Sequence, residues 1–310
     1  MHGLRRDYRR PCGCDRGRFG AQERGRGVKV LTPSTVQEAA AMLSEAGGQA
    51  TLLGGTTDLF VHWPERMLDA DGVFIDLSGV GALRAHRWED EALVLGGLTT
   101  FWDIIQDERA DREMPVLVQA ARTVGAVQIQ TRGTWAGNIA NASPAADGVA
   151  ALMVRDAVVE LTSCDGIETI RLDEFYLGYK QMRLRRDQII TSIRVPRQSC
   201  SVERFIKVGT RQAQAISKIG VAIAQSQAGW RIVANSVAPA VCRCRTVERA
   251  LDDRVPLPHV DALVELLGSD VSPIDDIRST AAYRRGVLAR VLYHELAPLC
   301  EWVGPQRGAS

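Results

Sequence analysis

Two hydrophobic periods alternate along this chain. From position 28, Val28, Val30 and Leu31 precede a turn at Pro33, and Val36, Ala39, Ala40 and Leu43 then recur near helical spacing. This predicts a short strand, a turn and a helix beginning at Thr35 or Val36. Apolar runs over 50–53, 73–77 and 92–95 read as strands, the first leading straight into Gly54-Gly55. Helical patterns follow over 100–108, 114–124 and 148–154. Strands are predicted over 157–161 and 167–170, joined at Asp165-Gly166, a dipeptide that favours tight hairpin turns. Segments 172–176 and 188–195 complete this half, which Pro196 closes. The second half reads differently: strands over 202–208, 215–225 and 230–237 come first, and helices over 246–251, 260–267 and 280–296 follow. The Ala/Ile/Val-rich run at 215–224 is also compatible with helix.

This order predicts an α+β fold, because the helices of the first half are too irregularly placed for a doubly wound sheet. A length of 310 residues favours two domains. The expected divisions are a leader over 1–27, a first domain over 28–200 and a smaller α+β domain over 201–302, with an antiparallel sheet and helices.

Charge changes the picture at one end. Residues 1–27 hold eight Arg against three acidic residues, with six Gly and few apolar side chains. Such a stretch buries too little to offset ordering entropy and is expected to be disordered. The remainder carries 30 basic against 34 acidic residues, which argues against nucleic acid as a main partner. No apolar run approaches the ~20 residues of a membrane span, and the N-terminus lacks the apolar centre of a signal peptide. The seven cysteines are scattered and odd in number, as in a cytoplasmic protein with reduced thiols. Cys12/Cys14 and Cys242/Cys244 lack the gap and the His partners of a metal site.

The chemistry concentrates in two polar stretches. Leu-Leu-Gly-Gly-Thr-Thr-Asp-Leu occupies 52–59, and Thr-Arg-Gly-Thr-Trp-Ala-Gly-Asn-Ile-Ala-Asn-Ala-Ser-Pro-Ala-Ala-Asp occupies 131–147. In the first, Gly54 and Gly55 let a ligand approach the backbone, and Thr56 and Thr57 add hydroxyl donors. Asp58 is suited to holding the loop or a ribose hydroxyl. In the second, Thr134, Asn138, Asn141, Ser143 and Asp147 alternate with apolar Trp135 and Ile139, the composition of an ordered, partly buried loop whose polar groups need partners. A tight turn and an internally satisfied loop are the bland readings of the two. Both a P-loop and a strand–GxGxxG–helix motif are absent. What remains is a dinucleotide held between two loops of a non-Rossmann fold.

At these residues the chain resembles the FAD-binding (medium) subunits of the molybdenum hydroxylases, the group that includes the carbon monoxide dehydrogenase medium subunit and the xanthine dehydrogenase flavin domain. Residues 54–59 are similar to that family's first flavin loop, with Gly54 for Ala and Thr56 for its last Gly as departures, and 133–147 to its second, with Gly133, Trp135 and Ala136 as departures. The likeness runs over about 28–300 and includes Gln188-Ile189-Ile190 through Pro196, then Phe205, Lys207 and Arg211, and Ser236 to Pro239. It implies a two-subdomain FAD-binding domain followed by a small C-terminal domain.

It also implies noncovalent FAD, with Gly54, Gly55, Thr56, Thr57 and Asp58 holding pyrophosphate and ribitol from one side. Thr134, Gly137 and Asn138 would hold pyrophosphate from the other, and Asp147 would meet adenosine or its ribose. Ile190 and Lys207 match positions near the adenine and isoalloxazine ends, and Leu53, Leu59, Ala136 and Ser143 complete the expected lining. An Ala136 needing positive φ would cost about 1–2 kcal/mol. The implied role is electron transfer between partner iron–sulfur clusters and an external acceptor. The partners would be a molybdopterin-binding large subunit and a small subunit carrying [2Fe-2S] clusters, in a dimer of heterotrimers. A self-contained flavin oxidoreductase and a scaffold that has lost its flavin are the alternatives. No nucleophile–His–carboxylate set is evident among the residues.

Overall fold

The computed structural model describes residues 28–61, 72–211 and 214–305. The leader expected over 1–27 lies outside these. The chain opens with a parallel sheet of β1 (Lys29–Leu31), β2 (Ala50–Leu53) and β3 (Val73–Asp76), in the order β1-β3-β2. Helix α1 (Val36–Glu45) crosses from β1 to β2. Thr35 caps it, its hydroxyl accepting from Glu38 N at 3.1 Å, a contact typically worth about 1 kcal/mol. The helical spacing puts Ala39, Ala40 and Leu43 on one face, where they pack with Ile75, Leu77 and Ile189. Strand β2 delivers Gly54 and Gly55 to the edge of this layer, and α2 (Thr57–Val61) begins just beyond.

A second layer is a five-stranded antiparallel sheet, order β4-β5-β10-β6-β7: β4 (His86–Trp88), β5 (Ala92–Gly96), β6 (Val158–Ser163), β7 (Gly166–Arg171) and β10 (Ile189–Pro196). The Asp165-Gly166 turn joins β6 to β7, with Gly166 at φ +134°. Between β5 and β6 run α3 (Phe101–Ile105), α4 (Glu108–Glu113), α5 (Pro115–Thr123), α6 (Val127–Gln130), α7 (Trp135–Asn141) and α8 (Asp147–Val154). The helix expected over 100–108 stops at Ile105 because Asp107 starts a new one. Its carboxylate accepts from Arg109 N at 2.8 Å and Ala110 N at 3.1 Å. Segment 131–147, expected as a continuous loop, contains α7. Segment 172–176 becomes a short 3-10 turn (Leu172–Glu174) leading into the small hairpin β8 (Tyr176–Gly178) and β9 (Gln181–Met182).

The C-terminal sheet is antiparallel, β11 (Cys200–Val208), β12 (Ile219–Ser226), β13 (Gly229–Asn235) and β14 (Cys242–Arg243) in sequential order. Helices α9 (Arg245–Asp252), α10 (Val260–Asp270) and α11 (Ala281–Leu296) cover one face and form a separate core with Ile219, Val221, Ile223 and Ile232. The strand expected over 215–225 starts only at Ile219, because Ser217 is drawn aside into a buried polar cluster.

Helix α8 joins the two domains. All eight of its residues are buried, since α5 and α7 pack on one side and β12 and β13 on the other. Each of Val149, Leu152 and Val154 contributes about 1.5–3 kcal/mol of apolar burial to that seam. Alongside it, fully buried Arg155 pairs through Nη1 with Glu203 of β11 and donates from Nη2 to Pro196 O at 2.9 Å.

Candidate functional site

The two polar stretches meet. At the end of β2, a Cβ on Gly55 would lie 2.0 Å from the Arg132 carbonyl oxygen, so only glycine permits this approach. A Cβ on Gly54 would stand 3.8 Å from Thr134 Oγ1, and one on Gly133 3.5 Å from Thr57 Oγ1. Gly54, Gly55 and Thr57 thus face Gly133 and Thr134 across a narrow seam. Thr56, between them, adopts φ +61°, and its hydroxyl donates to Gly55 O at 2.8 Å.

The second stretch is anchored from below. Trp135 is fully buried with its ring 4.8 Å from that of Phe101, and its backbone N–H donates to Thr99 O at 3.1 Å. Phe101 N in turn donates to Gly133 O at 3.1 Å. These contacts fix the entry to α7, whose N-cap is Thr134. The Thr134 hydroxyl accepts from Gly137 N at 2.9 Å. The far end of α7 is held by Tyr176, donating to Ile139 O at 3.0 Å, and by Lys180, whose ammonium donates to Asn141 O and Oδ1. Gly137 stays exposed on the open side. The Asn138 Oδ1 is buried without a hydrogen-bond partner, as is Thr99 Oγ1.

Ala136 does not adopt the positive φ at which its Cβ would be costly. It lies inside α7 with ordinary helical φ, and its methyl is buried in the first-domain core. The left-handed backbone falls on Thr56 instead, a β-branched residue for which that region is a genuine outlier. Of the other expected residues, Asp58 is exposed, Leu53 and Leu59 are half-buried, and Ser143 Oγ accepts from Ala145 N at 3.2 Å. Ile190 is buried in β10 at a register shift, where a Cβ on Gly97 would come within 2.4 Å of its carbonyl oxygen.

Asp147 and Lys207 form a second locus, at the exit of the same stretch. Asp147 is 5% exposed, and its Oδ2 accepts from Lys207 Nζ at 2.7 Å. Oδ1 accepts from Ser217 Oγ and from Asn235 Nδ2, each at 2.7 Å. Lys207 also donates to Thr123 O at 2.9 Å. Ser217 and Asn235 were invisible to motif reading, because each is an ordinary polar residue amid a strand pattern. Tyr176 and Lys180 likewise belong to no motif along the chain.

The donor set fits a pyrophosphate-bearing dinucleotide. The Gly54-Gly55 backbone and the Thr57 hydroxyl lie against Gly133-Thr134 at the entry to α7, and the one carboxylate in the first loop, Asp58, is exposed. Burial pushes the Cys242 thiol up to about 12 and the Cys200 and Cys300 thiols up to about 11, away from the reactive range. Among the described residues no group of three or more His, Cys, Asp or Glu could hold a metal ion, and no helix is long and apolar enough to cross a membrane. Clefts of about 390 and 460 Å³ lie elsewhere, beside Tyr176 and Arg243 and beside Trp88 and Trp102, and neither includes the paired stretches.

Comparison with known proteins identifies both domains. Residues 26–198 match the FAD binding domain in molybdopterin dehydrogenase, and residues 204–298 match the CO dehydrogenase flavoprotein C-terminal domain. The nicotinate dehydrogenase FAD-subunit of Eubacterium barkeri is 30% identical over 79% of this chain and 81% of its own length. The xanthine dehydrogenase FAD-binding subunit of Escherichia coli O157:H7 is 27% identical over 81% of this chain and 88% of its own. Among solved structures, a carbon monoxide dehydrogenase from Hydrogenophaga pseudoflava superposes with a TM-score of 0.78 at 25% identity. That match covers 86% of this chain and 94% of the other. The chain therefore belongs to the FAD-binding medium subunits of the molybdenum-hydroxylase and carbon monoxide dehydrogenase family.

Proposed function

We propose that this FAD-binding subunit transfers electrons within a molybdenum hydroxylase, between iron–sulfur clusters on one partner chain and an external acceptor. The observation that carries the reading is the apposition of Gly54-Gly55 to the segment from Arg132 to Thr134, which brings the two polar stretches together. When bound, FAD supplies a redox group that exchanges electrons singly or in pairs, chemistry that belongs to the cofactor. The chain's part is to bind and orient it. Gly54, Gly55 and Thr57 hold the pyrophosphate from one wall, and Thr134, Gly137 and Asn138 from the other. Asp58 is placed for the ribitol side. Asp147 uses three of its roughly four acceptor positions internally and offers the remaining one to a ribose hydroxyl. Ile190 borders the adenine end, and Lys207 orients Asp147.

The partners are a large subunit with the molybdopterin cofactor and a small subunit with [2Fe-2S] clusters, assembled as a dimer of heterotrimers in the cytoplasm. Relatives named as FAD-binding subunits and medium chains support a multi-chain assembly. The test is to purify the protein with whatever co-purifies and to measure flavin, molybdenum and iron. One FAD per chain, released by acid with the flavin spectrum, together with two metal-bearing partner chains, is the expected result. A chain with no saturable FAD binding overturns the proposal and leaves a scaffold, while substrate turnover by the isolated chain points to a self-contained oxidoreductase.

A further inference from the structure

Buried polar contacts from the C-terminal domain converge on the exit of the second flavin stretch. Asn235, fully buried at the end of β13, and Ser217, 2% exposed before β12, both donate to Asp147 Oδ1 at 2.7 Å. The neighbouring Ser236 donates its backbone N–H to Pro144 O at 2.7 Å, from a left-handed backbone at φ +62°. The Ser236 hydroxyl donates to Ser217 O at 2.9 Å, closing the cluster. Space for it is built in. Gly220 lies across from Asn235 in the β12–β13 pairing, and a Cβ there would stand 2.6 Å from Asn235 Nδ2. Arg284 of α11, itself 3% exposed, braces the cluster by donating to Lys218 O at 2.6 Å and Ser236 O at 3.0 Å, while pairing with Asp276.

A buried carboxylate is costly unless its acceptors are filled, so Asp147 holds one position only while these donors hold it. Pro144 and Asp147 lie just beyond Asn138 and Asn141 on the same segment. Resting on the flavin reading above, we infer that Asn235 and Ser217 are positioning residues of the flavin site: the C-terminal domain fixes the second flavin stretch through Asp147 and Pro144, so that FAD affinity is set jointly by both domains. Neither residue needs to touch the cofactor.

The experiment is FAD titration of the full-length apoprotein, followed by flavin fluorescence, at a temperature where every variant is folded by circular dichroism. Asn235→Ala and Ser217→Ala should each raise the FAD Kd about tenfold, the scale of one lost hydrogen bond to a charged acceptor. Ser217→Thr, which keeps the hydroxyl, should restore affinity to within about threefold of wild type. In an Asp147→Ala background the Asn235→Ala effect should shrink below about twofold, because the two act through one contact. Glu248→Gln serves as the control. Glu248 is buried in the same domain against Arg243 and the Ile232 N–H, so this variant lowers the melting temperature without approaching Asp147. Its FAD Kd should stay at the wild-type value. Wild-type affinity in both Asn235→Ala and Ser217→Ala, or equal weakening by Glu248→Gln, overturns the inference while leaving the flavin reading intact. A wild-type chain that binds no FAD overturns both.

Discussion

Gly55 and Arg132 approach so closely that a single added carbon on the first would sit 2.0 Å from the carbonyl oxygen of the second. The obstacle is backbone, which cannot rotate away as a long side chain does. Gly55→Ala is therefore expected to separate the two polar stretches and to destabilise the protein by about 2–3 kcal/mol, the upper range for overpacking. Urea unfolding gives the stability change, and flavin content on purification should fall well below one per chain. Wild-type flavin content in this variant would show that the apposition is not needed for binding.

Thr56 is the residue on which backbone strain falls. Replacing it with Ala keeps the Cβ that opposes φ +61°, whereas Gly removes it. Thr56→Gly should therefore exceed Thr56→Ala in stability by about 1 kcal/mol, read from paired denaturation curves. Equal stabilities would mean that the loop relaxes out of the left-handed region when the Thr hydroxyl bond to Gly55 O is lost.

Arg155 and Glu203 form a buried ion pair across the domain seam, with side chains 0% and 4% exposed. Removing one partner leaves the other charge buried and unpaired. Glu203→Gln or Arg155→Met should each cost about 3–5 kcal/mol, and the double replacement less than the sum of the two. Thermal melts of the single and double variants check this. Strict additivity would show that the pair is not coupled.

Asp173 supplies a pH dependence. Burial raises its pKa, but hydrogen bonds and charges from Arg171 and Arg243 outweigh that, holding the carboxyl below its ordinary 3.8. A carboxyl depressed on folding stabilises the protein above its unfolded pKa, and that contribution is lost as pH falls through the folded value. Stability from Asp173 should be complete above about pH 4 and decline below it. Asp173→Asn should cost roughly 1.5–3 kcal/mol at neutral pH and flatten the acid limb of the stability profile. An unchanged acid limb would assign the loss to other carboxylates.

Much of this architecture was legible along the chain. The Val36–Leu43 spacing, the Asp165-Gly166 turn and the short apolar runs are local signals, and strands β2, β3, β5 and β13 lie within a few residues of where those signals put them. Short pieces were not legible: β4 and β14 have three and two residues, too few for a period to register. Helix α7 was hidden by its glycine and asparagines, which weaken helix propensity. The burial of Trp135 and Ile139 overrides that weakness.

The sequence by itself determined the composition of the two polar stretches, rich in Gly, Thr and Asn, and through the second of them the family. Those facts reside in residue types and their spacing within single segments. Only the tertiary structure decided that Gly55 meets Arg132, that Ala136 is helical while Thr56 carries the left-handed turn, and that Asp147 is held by Lys207, Ser217 and Asn235, which lie 60, 70 and 88 residues away. The reason is that caps and periods act within one or two turns of chain. A buried carboxylate instead takes its partners from whichever strands the two domain cores bring against it.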